Sequence, residues 1–250
     1  MRLLEKNTNI SGDQAKTIHE IFDSKEESLD QYLCIGGYRR ASFLDHFMPD
    51  PMDFGSFRKC QYQEEGDFIK KVYEMGIRGK GLHQEVPFSH RGELYQNGEG
   101  HPVTLEKLFT PSQNRSVVKA TYRISDQADT VIRTNFGIEF NINLLAGDAP
   151  DWHYNIPGHR LEDRKLASIG ALKDVSEIQL VDEWVGMKVV LKTDRNCHLW
   201  RFPVETVSLS ESGFERIFQG SCLLLYWPLD LEPAKEFRVT IELGTHSLKD

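Results

Sequence analysis

Two hundred and fifty residues, 39% hydrophobic and 27% charged, are enough to bury a core without staples, and the composition excludes a disordered or low-complexity chain. Thirty basic against thirty-eight acidic side chains give a net charge of -8, which repels a nucleic-acid backbone or an anionic membrane unless a local basic patch intervenes, and the sequence shows no such run. A neutral ligand or another protein is therefore the expected partner, with no nucleic acid and no membrane.

Met1 to Ile10 lacks the apolar core of a secretory signal and no stretch approaches a bilayer span, so a cytoplasmic location is expected. From Asp13 to Leu33 the pattern is partly helical. Ser24 and Glu27 match a capping box ahead of Leu29, Tyr32 and Leu33, which predicts one short helix near the N-terminus. Gly36 and Gly37 break it, Tyr38 to Phe47 reads as a strand, and Pro49 and Pro51 stop that strand in a loop. Asn97-Gly98 separates Glu93–Gln96 from Val103–Phe109 and predicts a hairpin with a somewhat long loop.

Beyond residue 80 the period is two. Val118, Ala120, Tyr122 and Ile124 alternate with polar residues, as do Phe237, Val239, Ile241 and Leu243. The clearest run is Phe136, Ile138, Phe140, Ile142 and Leu144, read as one face of a half-buried antiparallel strand. Gly186 marks a further turn or bulge. Many strands, one early helix and no regular βα alternation predict a mainly β fold, a large antiparallel two-sheet super-sandwich. With no repeat and no linker, residues 1–250 are read as a single domain, 1–35 being a helical appendage.

Phosphate-cradling and dinucleotide-binding glycine motifs are absent, as are the nucleophile elbow and the metalloprotease helix, so neither a cofactor nor a catalytic residue is expected. Cys34, Cys60, Cys197 and Cys222 are too dispersed for a zinc site and read as reduced thiols. Asp148 and Asp151, near His153 and His159, suit calcium better than zinc if they hold a metal, and a solvated turn explains them as well. Glu139, Asn141 and Asn143 share one strand face, suited to sugar hydroxyls or simply to water. Trp152, Tyr154, Trp184, Trp200 and Trp227 are candidates for stacking on sugars or for packing.

Three ordered stretches, YRRASFLDHF from Tyr38 to Phe47, FGIEFNINLLAGDAPD from Phe136 to Asp151 and LWRFPVETVSLSESGFERIFQGS from Leu199 to Ser221, resemble the C-terminal domain of the 4-α-glucanotransferase and α-amylase type enzymes of glycoside hydrolase family 57. KCQYQEEGDF from Lys59, LVDEWVGMKV from Leu180 and IHEIFDSKEESLDQYL from Ile18 fall in the matching order. The resemblance implies a galactose mutarotase-like super-sandwich that follows an incomplete (β/α) barrel. That barrel carries the family's glutamate nucleophile and aspartate acid/base, and nothing in this sequence matches it. The implied role is a non-catalytic buttress that completes the α-glucan cleft. Arg39, Arg40, Asp45, His46, Glu139, Asn141, Asn143, Asp148, Arg201 and Glu205 are the candidates for the cleft or the interdomain surface, with internal salt bridges as the other reading of each. Two further functions stay open: an independent module binding α-glucan or maltooligosaccharide, and a sugar epimerase using His198 and Glu205 as acid and base.

Overall fold

The structure, a computed structural model, describes residues 37–80, 84–112, 116–126, 131–210 and 213–249. The expected helix over Ser24 to Leu33 and the residue Cys34 lie outside them. The elements are β1 (Leu44–Met48), α1 (Phe54–Arg58), β2 (Glu74–Met75), β3 (Val86–Gln96), β4 (Glu99–Pro111), β5 (Val117–Asp126), β6 (Ile132–Ile142), β7 (Trp152–Asn155), β8 (Gly170–Asp182), β9 (Met187–Ser210), β10 (Gly213–Leu231) and β11 (Glu236–Ser247).

Every pairing between these strands is antiparallel, and the main path runs β1-β6-β10-β9-β11-β5-β4-β3-β2, with β8 beside β9 and β7 beside β8. The ladder is continuous because β9 changes partner along its length. Met187–Thr193 pairs with β11, and His198–Ser210 pairs with β10. On its other side β8 shifts register between Leu172 and Glu177, with Asp174 in the left-handed region at φ 57°, so both strands turn a corner together. The ladder thereby folds over itself into a sandwich. Phe136 of β6 packs on Tyr122 of β5 and Phe237 of β11, at centroid distances of 5.9 and 6.0 Å, although neither strand is its neighbour in the ladder. Trp152, Tyr154, Trp200 and Trp227 are buried; Trp184 is 76% exposed.

The expectation of half-buried strands fails at β6. Phe136, Ile138 and Phe140 face the main core, but Asn135, Gly137 and Glu139 on the other side are buried too. Helix α1 is the cause. Asp53 caps it by accepting from the Ser56 N–H at 2.7 Å, and its Phe57 reaches Trp200 and Phe202 at 5.6 and 6.1 Å in a second apolar cluster with Met48 and Leu224. The alternating pattern of β6 could not reveal this roof, which forms from residues more than seventy positions upstream. The hairpin is also tighter than expected. Gln96 pairs with Glu99, so Asn97 and Gly98, at φ 52° and 82°, make the whole turn, the left-handed pair that matches strand twist. Gly186, at φ 75°, lies in the turn between β8 and β9 as the sequence indicated.

No helix among the described residues is long and apolar enough to cross a membrane. Replacing fully buried Phe136 by alanine is expected to lower stability by about 3–5 kcal/mol in chemical denaturation, since Phe47, Tyr122, Trp227 and Phe237 all lose a packing partner.

Candidate functional site

The polar residues on the roofed side of β6 converge on one carboxylate. In the β1–β6 register His46 pairs with Gly137, which places it on the same face as Glu139. His46 Nε2 lies 3.2 Å from Glu139 Oε2 as an ion-pair contact, and both side chains are fully buried. Tyr38 donates its hydroxyl to Glu139 Oε2 at 2.7 Å; Arg40 Nη1 and Asn141 Nδ2 donate to Oε1 at 3.2 and 2.6 Å. A second carboxylate closes the network, with Glu64 Oε1 2.6 Å from His46 Nδ1 and accepting from the Tyr62 hydroxyl at 2.6 Å. Arg40 also lies over the rings of Tyr38 and Phe202 and donates toward the sulfurs of Cys60 and Cys222.

Two cations and two carboxylates balance here in near isolation from water. Burial acts to lower the His46 pKa, but its contacts with Glu139 and Glu64 outweigh it and raise the value from 6.5 to about 9. Burial likewise acts to raise Glu139, yet His46, Arg40 and Asn141 hold it down at about 2. Burial and the Glu139 charge push the Tyr38 phenol up. His46 is therefore protonated and Glu139 ionised throughout the neutral range.

The other predicted residues disperse. Asp45, next along β1, points into the main core, where it pairs with Lys107 and accepts from Tyr73 at 2.6 Å; Lys107 also donates to the Phe43 carbonyl at 2.9 Å. Arg201 is buried without a carboxylate in ion-pair reach among the described residues. It donates to the Ser168 carbonyl and hydroxyl and to the Asp163 carbonyl, and lies 4.8 Å over the Tyr154 ring, so neither a salt bridge nor an open cleft position is formed and the side chain clamps the 163–168 loop. Glu205 pairs with Arg216 at 3.4 Å. Exposed Asp148 is bound by Lys165 at 2.7 Å, and among the described residues no cluster of three or more His, Cys, Asp or Glu forms around it or Asp151, so the calcium candidacy has no geometric support. Arg39 and Asn143 are exposed and stand apart from the network. His198 stacks on Tyr226, and Glu205 lies seven residues further along β9, roughly 20 Å at the usual strand rise, so the epimerase pair is not assembled.

Sequence reading missed Tyr38, Tyr62 and Glu64 in the network and Tyr73 and Lys107 beside Asp45. The spacing of Tyr62 and Glu64 by two was the available signal, but this segment belongs to no strand. Two concavities flank the buried charges. One of about 440 Å³ is lined by Tyr38, Cys60, Tyr62, Glu64, Asp67 and Lys70. A larger, mainly apolar one of about 700 Å³ opens over Phe43, Val72, Tyr73, Phe88, Phe109 and Val118.

A family model described as "Alpha-amylase/4-alpha-glucanotransferase, C-terminal" matches residues 2–241. The chain belongs to this family. Among curated relatives of this alpha-amylase/4-alpha-glucanotransferase C-terminal domain, "Alpha-amylase 1" of Dictyoglomus thermophilum is 31% identical over 233 residues, covering 91% of this chain and 31% of the relative. The crystal structure of 4-alpha-glucanotransferase from Thermococcus litoralis superposes with a TM-score of 0.68 at 24% identity, covering 88% of this chain and 29% of that one. A putative aldose 1-epimerase from Escherichia coli K12 shares the fold at a TM-score of 0.54 and 9% identity, covering 86% and 83% of the two chains. The family domain here thus spans under a third of the amylase and the glucanotransferase it resembles, and its sandwich is the galactose mutarotase-like one expected.

Glu139→Gln strands His46 and Arg40 as buried cations beside Glu64 alone and is expected to cost about 3–5 kcal/mol in denaturant titrations. The pH dependence has a definite sign. His46, raised to about 9, stabilises fully below pH 6.5 and loses its contribution as pH rises through 9; Glu139, lowered to about 2, contributes above pH 4.5 and loses it as pH falls through 2. Stability from the network is therefore expected to be greatest between pH 4.5 and 6.5 and to decline toward pH 9. A His46→Gln variant should lack that alkaline decline in a pH series of denaturation curves.

Proposed function

We propose that this chain is a single, non-catalytic sandwich domain of a cytoplasmic α-glucan-processing enzyme of the α-amylase/4-α-glucanotransferase type, which buttresses a catalytic (β/α) barrel and completes the wall of the glucan cleft. The observation that carries the proposal is the family match over residues 2–241 joined to a span of only 31% of the Dictyoglomus relative. The charge network supports a structural role. A general acid or base works best with a pKa near the working pH, whereas His46 and Glu139 are each held far from neutrality in their charged forms.

The apolar concavity supports a docked partner. Val72, which lines it, is 91% exposed, and Met75 of β2 and Ile77 just after it are 63% and 66% exposed. Soluble monomers seldom leave contiguous apolar surface open, so this face is the one assigned to the barrel. Exposed Arg39 and the polar cavity lined by Tyr38, Tyr62 and Glu64 are the assigned contributors to the outer glucan subsites. The independent-module reading rests on Trp184, one exposed ring at the β8–β9 turn, where a sugar-binding platform ordinarily needs more stacking surface.

The test pairs a calorimetric titration of the purified chain with maltoheptaose and a disproportionation assay on maltotriose. The chain alone is expected to form no transfer product, and activity should appear only when a barrel fragment of a family enzyme is supplied and Val72 and Phe109 are intact. Saturable binding abolished by Trp184→Ala would favour the independent module. Glucan transfer by the chain alone would overturn the non-catalytic assignment.

A further inference from the structure

The sequence has no basic run, but the fold assembles a basic site. Arg40 from the segment before β1, Arg58 and Lys59 from the end of α1, and Arg216 from β10 line one cavity of about 210 Å³, in which Glu205 is the one carboxylate among the lining residues. Glu205 lies 3.4 Å from Arg216, and Glu139 takes up Arg40 from behind. Arg58 and Lys59 have no carboxylate within ion-pair distance among the described residues. Asp53, at the opposite end of α1, is engaged in capping Ser56 and acts on Lys59 only through longer-range attraction. In a chain of net charge -8, four cations around one small concavity are a local reversal of sign.

A further cation stands behind the wall. Ala167 and Ile169 line the cavity, and Ser168 between them is held by buried Arg201, which donates to carbonyls and one hydroxyl, lies over the Tyr154 ring and also feels the Asp163 charge. The remaining wall is apolar, from Phe202, Pro203 and Val204, where β9 has run past its pairing with the start of β8 at Gly170. The volume falls below the roughly 300 Å³ at which ordinary small-molecule pockets begin, so the cavity suits one compact anionic group with a small ring against its apolar side and excludes an oligosaccharide. Arginine and lysine side chains that line one small cavity from separate elements are suited to a tetrahedral oxyanion, which accepts several charge-assisted hydrogen bonds at once.

The geometry points to a phosphate-binding site here, one that takes the phosphate group of a small sugar phosphomonoester or free inorganic phosphate. It is independent of the buttress role, since it uses neither the apolar face nor the glucan-facing cavity. The site gives the chain a means of binding a phosphorylated small molecule in a recess separate from the apolar face.

The test titrates the full chain with inorganic phosphate, glucose 6-phosphate and glucose, read by calorimetry and phosphorus NMR at fixed ionic strength. Saturable binding of phosphate and of the ester is expected, with none for glucose, and the tighter of the two identifies the natural source. Arg58→Gln combined with Lys59→Gln is expected to weaken binding about tenfold or more, as loss of charge-assisted bonds implies. Exposed Lys59→Glu alone serves as a second variant that leaves the packing of α1 in place, and a thermal melt confirms that each protein is folded. Lys70→Gln in the other cavity should bind as the parent chain does. No saturable phosphorus response at millimolar phosphate or ester, equal binding by the double variant, or an equal response to glucose would each overturn the site.

Discussion

Glu139 is the constraint on which the rest of this structure depends. A carboxylate with no exposed surface is tolerated only where charge and hydrogen bonds replace its water, and here Arg40, His46, Tyr38 and Asn141 do so. Those partners come from the chain before β1, from β1 and from β6, while Glu64 draws the segment after α1 into the same network. One buried charge therefore fixes how four separate pieces of backbone lie across the outer face of a strand that its alternation alone would leave wet.

The domain shares the fold of galactose mutarotase-like proteins, and on that fold its buried histidine and glutamate form an ion pair. The histidine and the glutamate meet beneath the roof of β6, and each is locked in its charged form by the other. The interaction is spent on holding the roof over β6. What remains accessible around it is shape: an apolar hollow on one side of β1, a polar cavity beside Tyr62, and a cationic recess where α1 ends.

Much of this could be read from the sequence, for identifiable reasons. The alternation in β5, β6 and β11 is local and period two, so it marked strands and their core faces correctly. The six ordered motifs specified the family because their order and length are improbable together. The roof was not legible, since α1 has five residues and its effect depends on contact with Trp200 and Phe202, about 150 residues away. For the same reason Arg40, His46 and Glu139 could be named from the sequence but not joined, and Arg201, open between a cleft position and a salt bridge, is instead a clamp on the 163–168 loop. Net charge misled as well: a total of -8 conceals a cationic recess whose members lie as far apart as residues 40 and 216.

The main path of the ladder ends in two short strands, five residues at β1 and two at β2, and its side branch ends in the four residues of β7. An edge offers a template for another chain only in proportion to the row of unpaired backbone groups it presents, and short edges offer little. Exposed Val72, Met75 and Ile77 thus lie where strand-to-strand growth into fibrils has almost nothing to copy. The apolar surface can be covered by a partner of complementary contour, whereas the two residues of β2 give a second copy of the chain little register in which to add itself.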